Sequence, residues 1–152
     1  MFEDSKGEAF QRGVEIAEEM GDRIDSLWCR AQLGYLALHE GNINKARNIF
    51  AETAQEFQKD EHAMGVVFSL EGMAGLYVAI DRPDIAARLI GWADRTRREM
   101  SETRARLEQE DVDKIIAACL AKMGEVAFTD AYDDGQEMKL DEAVAYSFQV
   151  KP

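Results

Sequence analysis

One pattern occurs twice in this chain, and it limits the fold more than any other feature. Leu33-Gly34 is followed by Gly41-Asn42 and then by Lys45-Ala46-Arg47. Ala74-Gly75 is followed by Arg82-Pro83 and then by Ala86-Ala87-Arg88. Gly34 to Gly75 and Ala46 to Ala87 are both offsets of 41 residues. A glycine inside a helix costs about 1 kcal/mol relative to alanine, so its repetition asks for a packing reason. Small residues that recur on successive segments let paired helices approach closely. Self-similarity at this period signals stacked supersecondary units.

The segments around the repeat read as helices because their apolar residues recur every three to four positions. Ile24, Leu27, Trp28, Ala31, Tyr35 and Leu38 form one stripe, and Ile43, Ala46, Phe50, Ala54 and Phe57 form the next. Val66, Leu70, Met73, Ala74 and Tyr77 make a third, and Ala86, Leu89, Ile90 and Ala93 a fourth. Val112, Ile115, Ile116, Cys119, Leu120 and Met123 mark a fifth within residues 103–123. A first helix at about 5–20 and two short ones at about 125–135 and 141–149 bring the total to about eight. Gly21-Asp22 and Gly41-Asn42 pair a helix stop with an N-cap. Asp60, Asp81 and Ser101 precede further starts, and Pro83 fits a first turn. Connections of two to four residues make neighbouring helices antiparallel.

The reading is therefore all-α, in one domain spanning 1–152. Residues 5–22 form the second helix of a partial repeat, 23–60 and 62–100 form two repeats, and 102–150 form closing helices. Leu33-Gly34, Ala46 and Phe50 resemble the Leu-Gly, Ala and Phe positions of the tetratricopeptide repeat. The tail, Gly124-Glu125-Val126-Ala127-Phe128 with Tyr132, Gly135 and Leu140-Asp141-Glu142-Ala143-Val144, resembles the end of helical-repeat regions in bacterial STAND-class ATPases and LuxR- or SARP-type transcription regulators. That resemblance implies a short right-handed superhelical array of antiparallel helix pairs. It also implies a sensor or scaffold region of a bacterial signalling or transcription regulator.

Charge and motif content narrow the function classes. The net charge is −12, which disfavours direct binding to nucleic acid. Residues 1–87 carry −8 and residues 107–152 carry −7, while residues 88–106 hold six arginines and carry +3. Cys29 and Cys119 read as reduced core residues, no segment reads as a membrane span, and the start lacks signal-peptide character. A cytoplasmic protein is the expectation. His39 and His62 lack metal-ligand spacing, and Asp130 to Asp141 fits a calcium loop poorly, with Tyr132 and Glu137 at its third and eighth positions. No metal, cofactor or catalytic set is expected.

Two surfaces remain as candidates for binding a protein or peptide. Arg88, Trp92, Arg95 and Arg98 share one helix face, where guanidinium and indole could grip an anion or an acidic partner. A solvated face with arginine stems over Trp92 is the alternative. By resemblance, the first helices of the repeats line a groove with Trp28, Ala31, Tyr35, Leu38 and His39 from one unit and Ser69, Leu76 and Ile80 from the other. Such an apolar groove binds an amphipathic helix, or is covered by other helices or by a second copy in a homodimer. The expected function is an interaction or scaffold module. A sensor that binds a small ligand between helix pairs is the alternative.

Overall fold

A computed structural model describes residues 2–148 as eight α-helices, with no strand among them. They are α1 (Phe2–Glu19), α2 (Arg23–His39), α3 (Ile43–Lys59), α4 (Ala63–Ala79), α5 (Pro83–Glu99), α6 (Arg106–Met123), α7 (Glu125–Gln136) and α8 (Leu140–Tyr146). Among the described residues no helix is long and apolar enough to cross a membrane. The expected helices start within three residues of their predicted positions, the largest shifts being α1 at Phe2 rather than 5 and α6 at Arg106 rather than 103. The predicted end of the last helix, at 149, lies outside the described residues.

The regularity is stricter than the sequence pattern indicates. Helices α2 to α5 are each 17 residues long and begin at 23, 43, 63 and 83, an interval of 20. Two residues beyond each of the first five helices the chain takes positive φ, at Gly21, Gly41, Glu61, Asp81 and Ser101, again 20 apart. Every one of these ends carries the same pair of hydrogen bonds. The Gly21 N–H donates to the Glu18 carbonyl and the Asp22 N–H to Ala17, and the pairs at 41–42, 61–62, 81–82 and 101–102 repeat this. This is the Schellman arrangement, which satisfies carbonyls left over at a helix end. Three of the five stops use Glu, Asp or Ser in a conformation that costs L-residues about 1–2 kcal/mol.

Starts are fixed as well. The Asp22 carboxylate accepts from the Asp25 N–H (3.0 Å) and the Asn42 side chain from the Lys45 N–H (3.3 Å). His62 caps α4 by the same means, with Nδ1 accepting the Gly65 N–H at 3.0 Å. The structural repeat is thus a helix pair of 40 residues, one shorter than the sequence offset of 41. In the structural register Ala46 corresponds to Ala86, and Gly34 to Ala74.

The chain forms two compact units that divide within α4, after Ser69. In the first, α2 packs on both α1 and α3. Gly34 is a close-approach site there: a β-carbon would stand 2.7 Å from the Phe50 ring and 3.0 Å from Ile49. Gly65 lies against Phe57 in the same manner. In the second unit α5 packs on α6 and α7. Its core contains Leu70, Tyr77, Leu89, Ile90 and Trp92, all fully buried.

Candidate functional site

Two arginines of the basic island at 88–106, Arg97 and Arg104, turn inward. Arg97 gives Glu71 a two-pronged contact, from Nε at 3.0 Å and from Nη2 at 2.7 Å, and both residues are nearly fully buried (6% and 4% exposed). Arg104 Nε reaches the same carboxylate at 2.7 Å, while its Nη2 binds Asp94 and its Nη1 donates to Gln109. The Tyr132 hydroxyl donates to the other oxygen of Asp94. Burial alone would lower the Arg104 pKa, but the charges of Glu71 and Asp94 and their hydrogen bonds raise it above its ordinary value. Burial and the hydrogen bond to Asp94 push the Tyr132 hydroxyl up. These charges stitch α4, α5, α7 and the segment before α6 together. Their geometry decides whether such a cluster holds, since desolvating two charges costs several kcal/mol that only good pairing offsets.

The predicted Arg-Trp face is therefore corrected. Trp92 is fully buried and cannot stack on an exposed partner. Its indole N–H finds no acceptor among the described residues. Arg88 donates to the Tyr146 hydroxyl (3.0 Å) and lies over that ring at 5.9 Å. Arg95 Nη2 donates to the Met138 carbonyl at 2.7 Å. Arg98 is exposed and hydrogen-bonds towards Tyr132. The physical reason is that α7, α8 and their connection lie over α5, and a stripe on one helix does not reveal what covers it. Beside Arg98, a cleft of about 590 Å³ is lined by Arg97, Arg104, Ser101, Thr103 and Gln109, with Asp94 and Glu102 giving it mixed charge.

Of the residues expected to line a groove, three lie inside. Ala31, Ser69 and Leu76 are buried, and the Ser69 hydroxyl shares a hydrogen bond with Thr53 at 2.9 Å. Trp28 and Tyr35 belong to an aromatic cluster in the first unit. Trp28 meets Phe57 and Phe68 at 5.2 Å each, and Tyr35 meets Phe68 at 4.7 Å and Phe50 at 5.0 Å. The Tyr35 hydroxyl donates to the Phe68 carbonyl. Leu38 and Ile80 are half-buried, and only His39 of the set is exposed. The acidic tail is also not a loop: α7 runs as helix through Asp130, Asp134 and Gly135.

The surfaces that do present apolar side chains were not singled out from the sequence. Ile16 and Met20 project from α1, Met20 at 77% exposure, and Leu107 and Val126 project from α6 and α7. Beside the α1 face lies a groove of about 270 Å³, lined by Lys6, Ala9 and Phe10 of α1 and by Gln32, Tyr35 and Leu36 of α2. The signal for α1 was present as Ala9, Gly13, Ile16 and Met20 at helical spacing, and it reads equally well as core.

These features define an all-α chain of regularly spaced, similarly capped helices. Comparison with protein-family profiles, with curated proteins and with solved structures gives no match.

Proposed function

We propose that this protein is an interaction or scaffold module of the helical-repeat kind, related to the tetratricopeptide arrays of bacterial signalling ATPases and transcription regulators. The observation that carries the reading is the succession of five identical helix ends at 20-residue intervals. Helices set to one length by one device are interchangeable units, and arrays of such units serve chiefly to present extended surfaces to other proteins. Large apolar side chains exposed on α1 and on α6–α7 suit a protein or peptide partner. Stacking into a superhelix, and a cytoplasmic setting, belong to the same proposal.

Photo-crosslinking residues placed singly at Met20, at Val126 and at the polar control Asp113 test this in cells that express the protein. The expected outcome is a discrete protein adduct from Met20 or Val126 and none from Asp113. A second reading, a small-ligand sensor, is favoured by the cleft beside Arg98. Absence of any adduct, together with a rise in melting temperature on adding one metabolite, would replace the first reading with the second.

A further inference from the structure

Helices α1 and α3 hold equivalent places in the register, since they are stopped by Gly21 and Glu61 and residues 40 apart correspond. Burial follows the correspondence: Val14 and Ala54 are both buried, as are Ala17 and Phe57. Phe10 corresponds to Phe50. The two helices differ in what covers them. On α3 the face of Ala46, Ile49 and Phe50 is covered by α2, whose Gly34 rests on Ile49 and the Phe50 ring. On α1 the equivalent residues are Lys6, Ala9 and Phe10, and they line the open groove beside α2.

We infer that this groove receives an amphipathic helix from a partner protein, seated on α1 as α2 is seated on α3. The inference rests on the interaction-module reading and names the surface and the occupant.

The register also states the occupant's chemistry. Arg23, at the first position of α2, pairs with Glu56 and with Asp60 (2.7 Å) of α3. Their equivalents on α1 are Ile16 and Met20, both exposed apolar side chains. The occupant is therefore apolar in its first turn, where α2 carries arginine. Arg30 of α2 pairs with Glu52 of α3 at 2.6 Å, and the equivalent of Glu52 on α1 is Arg12. The occupant accordingly carries an acidic residue where α2 carries Arg30. Opposite Ala9 and Phe10 it needs a small residue, as α2 has Gly34. Apolar anchors spaced along one face of a docked helix are a recurrent mode of peptide recognition.

Two synthetic peptides test this under reducing conditions, one with the sequence of residues 23–39 and one with the same sequence carrying Arg23→Leu and Arg30→Glu. Each is labelled and titrated with the full chain by fluorescence anisotropy. The altered peptide should bind saturably and roughly tenfold or more tightly than the unaltered one, a difference of about 1.4 kcal/mol. Ala9→Arg in the protein, at an exposed helix position, should weaken that binding by a similar factor while leaving the circular dichroism and melting temperature unchanged. Equal affinity for the two peptides, no saturable binding, or indifference to Ala9→Arg overturns the proposal. So does sedimentation showing that the chain alone dimerises and that Ala9→Arg restores the monomer, because the occupant would then be a second copy. Loss of peptide binding with a persistent adduct from Val126 would remove this groove and leave the interaction reading standing.

Discussion

Gly135 of α7 rests directly on the main-chain carbonyl of Arg88 in α5. One further contact of the same kind lies nearby, where Gly91 of α5 meets the carbonyl of Tyr132. The two glycines form a reciprocal notch in which each makes room for the main chain of the other helix. A β-carbon at either position would collide with backbone, which cannot rotate away as a flexible side chain can.

Gly135→Ala and Gly91→Ala should therefore each destabilise the protein by at least about 1–3 kcal/mol, the range for overpacking. This outweighs the gain of up to about 1 kcal/mol that alanine brings to an ordinary helix interior. Urea unfolding checks it. A midpoint that rises for either variant would show that α5 and α7 are further apart than described.

The left-handed helix ends give the opposite sign. Glu61→Gly should stabilise by roughly 1 kcal/mol, because glycine adopts φ of 54° without the clash that a β-carbon brings. Ser101→Gly should behave similarly. Asp81→Gly should gain less, since Asp tolerates this region better than Glu. Gly21→Ala should lose stability. The four variants ranked by thermal midpoint provide the check, and a destabilised Glu61→Gly would contradict the assigned cap.

The capping shows how far the sequence could be read. Gly21-Asp22 and Gly41-Asn42 announce their stops openly, and the helices between them fall where the apolar period puts them. Asp81 and Ser101 mark boundaries too, as residues ahead of the next helices, but neither they nor Glu61 signal the left-handed conformation as glycine does. The offset of 41 comes from matching Gly34 with Gly75 and Ala46 with Ala87, where the structural register pairs Gly34 with Ala74 and Ala46 with Ala86. The setting of the Arg-Trp face is not legible locally. Arg88, Trp92 and Arg95 do share a face of α5, and helical spacing shows this directly. Whether that face meets water or α7 depends on contacts 40 and more residues away. Gly91 and Gly135 let α7 come down onto it, and nothing local to either residue signals that contact.

The buried ionic cluster predicts strong non-additivity. Glu71→Gln leaves Arg97 with its principal partner neutralised, and Arg104 with Asp94 alone. Breaking a buried pair from one side typically costs about 3–5 kcal/mol. Replacing both members, as in Glu71→Leu with Arg97→Met, should cost less than Glu71→Gln alone. A double-mutant cycle by chemical denaturation measures this, and simple additivity would mean that the two groups act independently.

Alkaline pH should weaken the fold through Cys119. Burial, with a smaller contribution from the charge of Asp84, pushes its thiol from an ordinary 9.0 up to about 11. The folded state thus holds the proton more tightly than the unfolded chain does. The associated stability is fully present below the unfolded value and is lost as pH rises from 9 through 11. By about pH 10 the loss should approach about 1.4 kcal/mol, one pKa unit of differential binding. The Tyr132 hydroxyl, also raised, adds to the loss at higher pH, so about pH 8.5 to pH 10 is the window that isolates the thiol. Cys119→Ala removes a buried side chain and starts from lower stability, but its urea midpoint should fall less steeply across that window than that of the unsubstituted protein. Parallel pH profiles for the two would show that the thiol ionises as freely in the folded chain as in the unfolded one.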